Sequence, residues 1–217
     1  MVIHNTYNWM LDLIMPMRCA GCGTFNKILC KNCIQSINQS QEQYPFSGIT
    51  SNIENIWWYA SYNNSTTRNI VHQFKYKKML ALVPIIAQLM KNLIPINETN
   101  CLLVPIPLNI KKEKNRGFNQ AELLANEIAK YADLQILPKN VLIRKEGQIP
   151  QAKIKERDKR IKNIKGAFLL MRELSENERN IILIDDVATS GATLSEAAYV
   201  LKQGGAKKIS AAVFAHG

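Results

Sequence analysis

Ile181-Ile182-Leu183-Ile184-Asp185-Asp186-Val187-Ala188-Thr189-Ser190-Gly191-Ala192-Thr193 is the stretch that decides the architecture. Four apolar residues in a row read as a strand buried on both faces, the habit of parallel sheets. Two acids stand at its carboxyl end, where open α/β sheets bind ligands. A small hydroxyl-rich turn with one glycine follows and opens a helix. Such a turn points backbone N–H groups, the Thr189, Ser190 and Thr193 hydroxyls and a helix N-terminus at one phosphate. The acids cannot share that phosphate without repulsion, and are better placed to accept from sugar hydroxyls. A ribose 5-phosphate satisfies both halves. The plainer reading is a turn capped by Asp185-Asp186 and a helix capped by Thr or Ser. There is no Gly-x-x-x-x-Gly-Lys-Ser/Thr in the chain, so this is not a Walker A loop.

Outward from this string the pattern stays α/β. Strands are expected at Ile56–Tyr62, Cys101–Ile106, Val141–Arg144, Ala167–Met171 and Ile209–Phe214. Helices are expected at 7–15, 66–76, 80–93, 119–131 and 194–203, the last closed by Gly204-Gly205. Residues 35–52 read as a polar linker or loop, 111–116 as a basic loop, and 145–165 as a long polar and basic segment. Strands alternating with helices predict a parallel sheet covered on both sides.

Composition narrows the function classes. The chain has 217 residues, 47% hydrophobic and 21% charged, enough for one domain plus a small appendage and unlike a disordered chain. No apolar run reaches about 18 residues, so no membrane span is expected, and no secretory signal is read. With five cysteines, an odd count, this suits the reducing cytosol, and a cytoplasmic location is expected. The net charge is +11. Residues 1–50 carry Arg18, Lys27 and Lys31 against Asp12 and Glu42, so the excess lies almost wholly after residue 50. Such an excess favours phosphate-bearing partners, either nucleic acid or a polyphosphorylated small molecule.

The cysteines are not scattered. Cys19-Ala-Gly-Cys22 and Cys30-Lys-Asn-Cys33 form two C-x-x-C pairs, and two such knuckles supply four thiolates for a tetrahedral zinc. A redox pair, or simple structural thiols, are the competing readings; a redox motif needs only one pair. With no open ligand position the zinc is structural, folding a segment too small to hold a core. Loss of one cysteine is expected to unfold this segment and leave the α/β part largely intact. Cys101, at the start of a strand, reads as core packing.

The string at 181–193 resembles the 5-phosphoribosyl 1-diphosphate (PRPP) motif of type I phosphoribosyltransferases. That resemblance implies that Asp185 and Asp186 hold the ribose 2- and 3-hydroxyls and that Val187, Ala188, Thr189, Ser190, Gly191, Ala192 and Thr193 hold the 5-phosphate. In the same family a loop after an early strand takes the diphosphate. Here that slot is Pro105-Ile106-Pro107-Leu108 followed by 111–120, with Arg116 as a PRPP-binding residue. A second loop that closes over the reaction corresponds to 145–165. Val104-Pro105-Ile106-Pro107, Arg116-Gly117-Phe118-Asn119-Gln120, Arg144, Gln151, Arg160, Asn163, Gly166-Ala167-Phe168 and Asp185-Asp186 together look like the ComF family, over nearly the whole chain. The family implies an N-terminal helix and zinc ribbon (1–50) ahead of a phosphoribosyltransferase-like domain with a hood region (51–217). It implies a structural zinc on Cys19, Cys22, Cys30 and Cys33, Mg²⁺ with PRPP, and an association with DNA uptake in natural transformation.

Two functions follow from the resemblance. One is an enzyme in which Asp185 and Asp186 serve transfer of the phosphoribosyl group to an acceptor that the sequence does not name. The other is a non-catalytic protein that handles single-stranded DNA, with PRPP and the DNA-uptake machinery as partners. Lys153, Lys155, Arg157, Lys159, Arg160, Lys162 and Lys165 fit a solvated surface, closure over diphosphate, or a nucleic-acid backbone. Arg68, His72, Lys75, Tyr76, Lys77 and Lys78 form a second basic cluster. Trp57, Trp58 and Tyr59 either pack a core or stack bases.

Overall fold

The computed structural model describes residues 17–38, 52–95, 100–146 and 164–217. In chain order these form α1 (Lys31–Ile37), β1 (Ile56–Ser61), α2 (Ser65–Tyr76), α3 (Leu82–Lys91), β2 (Leu102–Pro105), α4 (Ile110–Arg116) and α5 (Gln120–Ala132). Then follow β3 (Gln135–Ile136), β4 (Leu142–Arg144), β5 (Phe168–Leu170), β6 (Asn180–Ala188), α6 (Ala192–Gln203) and β7 (Lys208–His216). The helix expected at 7–15, most of the polar linker and nearly all of the basic segment at 145–165 lie outside the described residues.

Five strands make one sheet in the order β1-β7-β6-β2-β3, and every neighbouring pair is parallel. The chain leaves β2 for β3 on one side, while β6 takes the other side. β2 and β6 therefore flank the point where strand order reverses, and ligands of open α/β sheets bind outside the carboxyl ends there.

The period-two alternation of β6 assigns its side chains to two cores. Ile182 and Ile184 pack with Ile70 and Phe74 of α2, Ile86 and Met90 of α3, and Leu124 and Ile128 of α5. Ile181 and Leu183 pack on the other face with Leu194, Ala198 and Leu201 of α6 and with Leu142 and Phe168 of β4 and β5. Both faces are thus covered, which is why β6 reads as an uninterrupted apolar run. Asp186 continues the row that faces α2, where it meets Lys75.

Beyond the short elements α1 and β3, which were not expected, the structure departs from the sequence expectations as follows. The expected basic loop at 111–116 is helix α4. Asn109 caps it by accepting from the Lys111 backbone N–H at 3.1 Å, and Gly117, at φ 90°, ends it. Lysine, arginine and glutamate are good helix formers, so polarity alone is a poor sign of a loop. The strands β4 and β5 lie outside the parallel sheet and pair antiparallel with each other. Finally β6 runs through Asp185 and Asp186 to Ala188, in register with β7, rather than stopping before the acids.

The cysteine segment is built onto this framework. Cys19, Ala20, Leu29, Cys33 and Ile37 share a core with Trp57, Ile70 and Phe74. A methyl group on Gly21 would meet Cys33 Sγ at 2.6 Å and Thr66 Cγ2 at 2.8 Å, so only glycine allows this approach to α2.

Candidate functional site

The residues of the 181–193 string converge at one end of the sheet. Asp185 and Asp186 are in-ladder residues of β6. Val187 and Ala188 end the strand, Thr189 is exposed, and Ala192 and Thr193 form the first turn of α6. Gly191 caps that helix at φ 68°, the left-handed region where a side chain is strained. Its carbonyl accepts from the Ser195 N–H at 2.9 Å. The turn therefore presents the N-terminus of a twelve-residue helix at the strand end, directly after the acid pair.

The acids are set apart by their neighbours. Lys75 of α2 brings its ammonium Nζ to 2.8 Å from Oδ2 of Asp186, with both side chains largely buried, 19% and 8% exposed. Burial alone would push the Lys75 ammonium down, yet the carboxylates of Asp186 and Asp185 hold it above the ordinary lysine value. Asp185 accepts from the Asp186 backbone N–H at 2.8 Å. Burial, and then the adjacent Asp186 charge, lift the Asp185 carboxyl to about 7, with Lys75 opposing.

Around the pair stands an excess of cations from three elements. Lys112 lies on α4, where burial and then the charges of Arg144, Arg116 and Lys75 push its ammonium down. Arg144 ends β4, its guanidinium lowered by burial and supported by the Asp185 charge. It lies 5.4 Å from the Phe168 ring centroid. Its Nε is buried without a partner among the described residues. Arg116 ends α4, donates to the Gln120 side-chain oxygen, and lies 5.7 Å from the Tyr76 ring centroid. Lys75, Lys112, Arg116 and Arg144 thus outnumber the two carboxylates. Like charges crowded in this way suit a multiply charged anion.

The loop after β2 is tied down beside them. Asn119 is buried; its amide donates to the Ile106 carbonyl at 3.0 Å and its oxygen accepts from the Ala121 N–H at 3.1 Å. One side chain thereby caps α5 and fixes the loop.

The four cysteines meet as their spacing predicts. Their Sγ atoms all lie within 4.8 Å of one another, so together they could hold a metal ion. Cys19 and Cys33 are 3.7 Å apart at sulfur, and so are Cys22 and Cys30. Tetrahedral thiolates at the usual zinc–sulfur distance stand about 3.8 Å apart. The Cys30 backbone N–H donates to Cys19 Sγ at 3.3 Å. Hydrogen bonds from Thr24 lower the Cys22 thiol to about 6, while burial and the neighbouring thiols push Cys33 up. A bound cation would reverse that rise.

The aromatic run and Cys101 take the core-packing alternative. Trp57 is buried in the core, Tyr59 stacks on Phe214, and Trp58 lies against His216, so the aromatic run packs the sheet edge. Cys101 is buried. Within the basic cluster of α2, Arg68 donates to the Tyr62 and Asn63 carbonyls, whereas Lys75 turns inward. Sequence reasoning did not single out Lys75. The signal was present: Lys75 follows Val71 by four positions, on the stripe that α2 buries.

Comparisons with known proteins place this geometry among relatives. A family model described as phosphoribosyl transferase domain matches residues 76–217. The chain is 34% identical over 110 residues to "Competence protein F" of Haemophilus influenzae, covering 49% of this chain and 46% of the relative. It is 37% identical over 110 residues to "Competence protein ComFC" of Bacillus subtilis, covering 50% and 42%. It is 27% identical over 146 residues to "DNA utilization protein YhgH" of Escherichia coli strain K12, covering 64% and 63%. The chain thus spans less than two thirds of the length of these curated relatives. Among the described residues no helix is long and apolar enough to cross a membrane.

Proposed function

The chain belongs to the phosphoribosyl transferase domain family, and from that premise we propose that it binds PRPP at the ends of β2 and β6. The observation that carries this reading is the surplus of Lys112, Arg116 and Arg144 beside an acid pair and a helix-opening turn. Asp185 and Asp186 accept from the two ribose hydroxyls. The turn from Val187 to Thr193 holds the 5-phosphate. Arg116, Lys112 and Arg144 face the diphosphate. Mg²⁺ travelling with PRPP offsets diphosphate charge.

As an enzyme, the site breaks the bond from ribose C1 to the diphosphate oxygen, and the electron pair leaves with diphosphate. An acceptor lone pair then forms the new bond to C1, and a proton leaves the acceptor. The protein's part is to fix the ribose and stabilise the departing charge, with no covalent nucleophile. Calorimetric titration of PRPP with Mg²⁺ tests binding, and diphosphate release across candidate acceptors tests turnover. No PRPP binding at millimolar ligand defeats the reading.

The relatives' names support a second reading, in which the same fold serves DNA uptake by contacting single-stranded DNA in the cytosol, with or without turnover. To the same proposal belong a structural zinc on Cys19, Cys22, Cys30 and Cys33, and a division into residues 1–50, helix and zinc ribbon, and 51–217, the phosphoribosyltransferase-like domain.

A further inference from the structure

We infer that Lys75 is an exchangeable counterion that couples the two halves of the ligand: it occupies Asp186 in the free protein and moves to the diphosphate when a sugar hydroxyl takes its place. The inference rests on the PRPP reading and adds a residue just ahead of the span matched by the family model.

The ammonium sits at 2.8 Å from Oδ2 of Asp186, the carboxylate that the sugar needs. A sugar hydroxyl and the ammonium therefore compete for one group. If the ammonium leaves Asp186, Asp185 still attracts it, but that carboxylate is the sugar's other acceptor, and Arg116 and Lys112 repel it. It cannot settle beside those cations unless an anion lies between them. A diphosphate is such an anion, and a compact ammonium on a flexible four-carbon stem is suited to the exchange. The displacement of Lys75 is thus unfavourable for a sugar arriving alone and is offset when a diphosphate arrives with it. Ribose 5-phosphate has the hydroxyls and the phosphate but lacks the diphosphate, so it must evict Lys75 without giving it a partner. PRPP supplies both at once. Lys75 makes the site favour the activated sugar over its hydrolysis product, beyond what the matched string does.

Three titrations decide the matter, each followed calorimetrically with thermal melts as a check on folding. In the unaltered protein, diphosphate with Mg²⁺ should tighten ribose 5-phosphate several-fold, because it draws the ammonium away from Asp186. Lys75→Met should weaken PRPP at least tenfold while leaving ribose 5-phosphate unchanged or tighter. Lys75→Arg, which keeps the charge, should restore PRPP to within a few-fold. A purely structural lysine would weaken both ligands alike. Equal weakening, or an unchanged PRPP to ribose 5-phosphate ratio, overturns the inference while leaving the PRPP reading standing. So does independent binding of ribose 5-phosphate and diphosphate to the unaltered protein, a measurement that no misfolded variant can obscure. If the unaltered protein binds neither PRPP nor ribose 5-phosphate, the PRPP reading falls and this inference with it.

Discussion

The side-chain amide of Asn69 donates to the carbonyl of Gly21 over 3.1 Å, joining α2 to the turn between Cys19 and Cys22. A second bond repeats the link, from Asn64 to the Ser36 carbonyl at 2.9 Å. The helix that receives the cysteine segment also carries Lys75 to Asp186. The cysteine segment and the acid pair are therefore attached to one twelve-residue helix, the first through Asn64 and Asn69 and the second through Lys75 in its last turn.

This attachment changes what loss of a metal held by the four cysteines should do. A separate ribbon would unfold alone, but Cys19, Leu29 and Cys33 share a core with Ile70 and Phe74. Cys30→Ser, or removal of zinc by a chelator, should lower the melting temperature of the whole chain and weaken PRPP binding several-fold. Differential scanning calorimetry with metal analysis checks it. An unshifted main transition in zinc-free protein would show that the two parts fold independently.

Gly21→Ala tests the same contact without replacing a cysteine. Its new methyl group would overlap Cys33 Sγ and Thr66. Overpacking of this kind typically costs about 1–3 kcal/mol. Denaturant titration should show that loss, accompanied by faster zinc release to a chelator.

Asp185→Asn with Asp186→Asn removes two charged acceptors from the proposed ribose contacts. Hydrogen bonds to charged groups are worth roughly 1.5–3 kcal/mol each. PRPP affinity should fall at least tenfold, measured by titration, and the loss should be smaller for diphosphate alone. An unchanged PRPP affinity would falsify the assignment of the acids to the sugar.

Much of this was legible in the sequence, for identifiable reasons. The run Ile181–Ile184 reports burial on both faces directly, and C-x-x-C spacing reports a shared ligand sphere because each knuckle is local. Helix α4 was not legible as a helix, because Lys111–Arg116 buries none of its residues and so carries no apolar stripe. The pairing of β4 with β5 was hidden for another reason. Parallel and antiparallel partners are chosen by the connection between strands, here a long segment without apolar periodicity. Lys75 was legible only as one member of a basic cluster. Its role depends on α2 packing against the row of β6 that ends in Asp186, a tertiary fact that a basic cluster on a helix does not announce.

The pH dependence follows from Asp185, lifted to about 7 first by burial and then by Asp186. An unfolded aspartate titrates near 3.9. Between roughly pH 4 and 7 the folded protein therefore binds more protons than the unfolded chain, so this group makes stability fall as pH rises through that window. Ligand binding has the opposite sign, because the sugar hydroxyls need the carboxylate. PRPP affinity should climb from pH 6 to 8, with a proton released on binding. Calorimetry in buffers of different ionisation enthalpy measures that proton. Asp185→Asn should flatten both trends, which separates the carboxyl from the ligand's own phosphate titration.

Nucleic-acid binding is the last prediction, and the structure alters its expected form. The excess of positive charge after residue 50 should give sequence-independent binding that weakens with salt, with a log–log slope near −0.7 per phosphate neutralised on single strands. Changing Lys153, Lys155, Lys159 and Lys162 to Gln should flatten that slope by a few phosphates while zinc content stays intact. Trp57 is buried and Tyr59 already stacks on Phe214, so neither is a ready stacking platform. The exposed ring beside the proposed site is Tyr76, 63% exposed and 5.7 Å from the Arg116 guanidinium. If bases stack there, the strand passes over the residue assigned to diphosphate, and PRPP should displace single-stranded DNA. Tyr76→Ala should then reduce the preference for single over double strands, since stacking needs an unpaired base. If the basic segment alone holds the strand, PRPP and DNA should bind independently and Tyr76→Ala should change nothing. A filter-binding series across salt, with and without PRPP, separates these outcomes. Absence of single-strand binding even at low salt would remove a direct DNA contact and leave phosphoribosyl transfer as the activity to pursue.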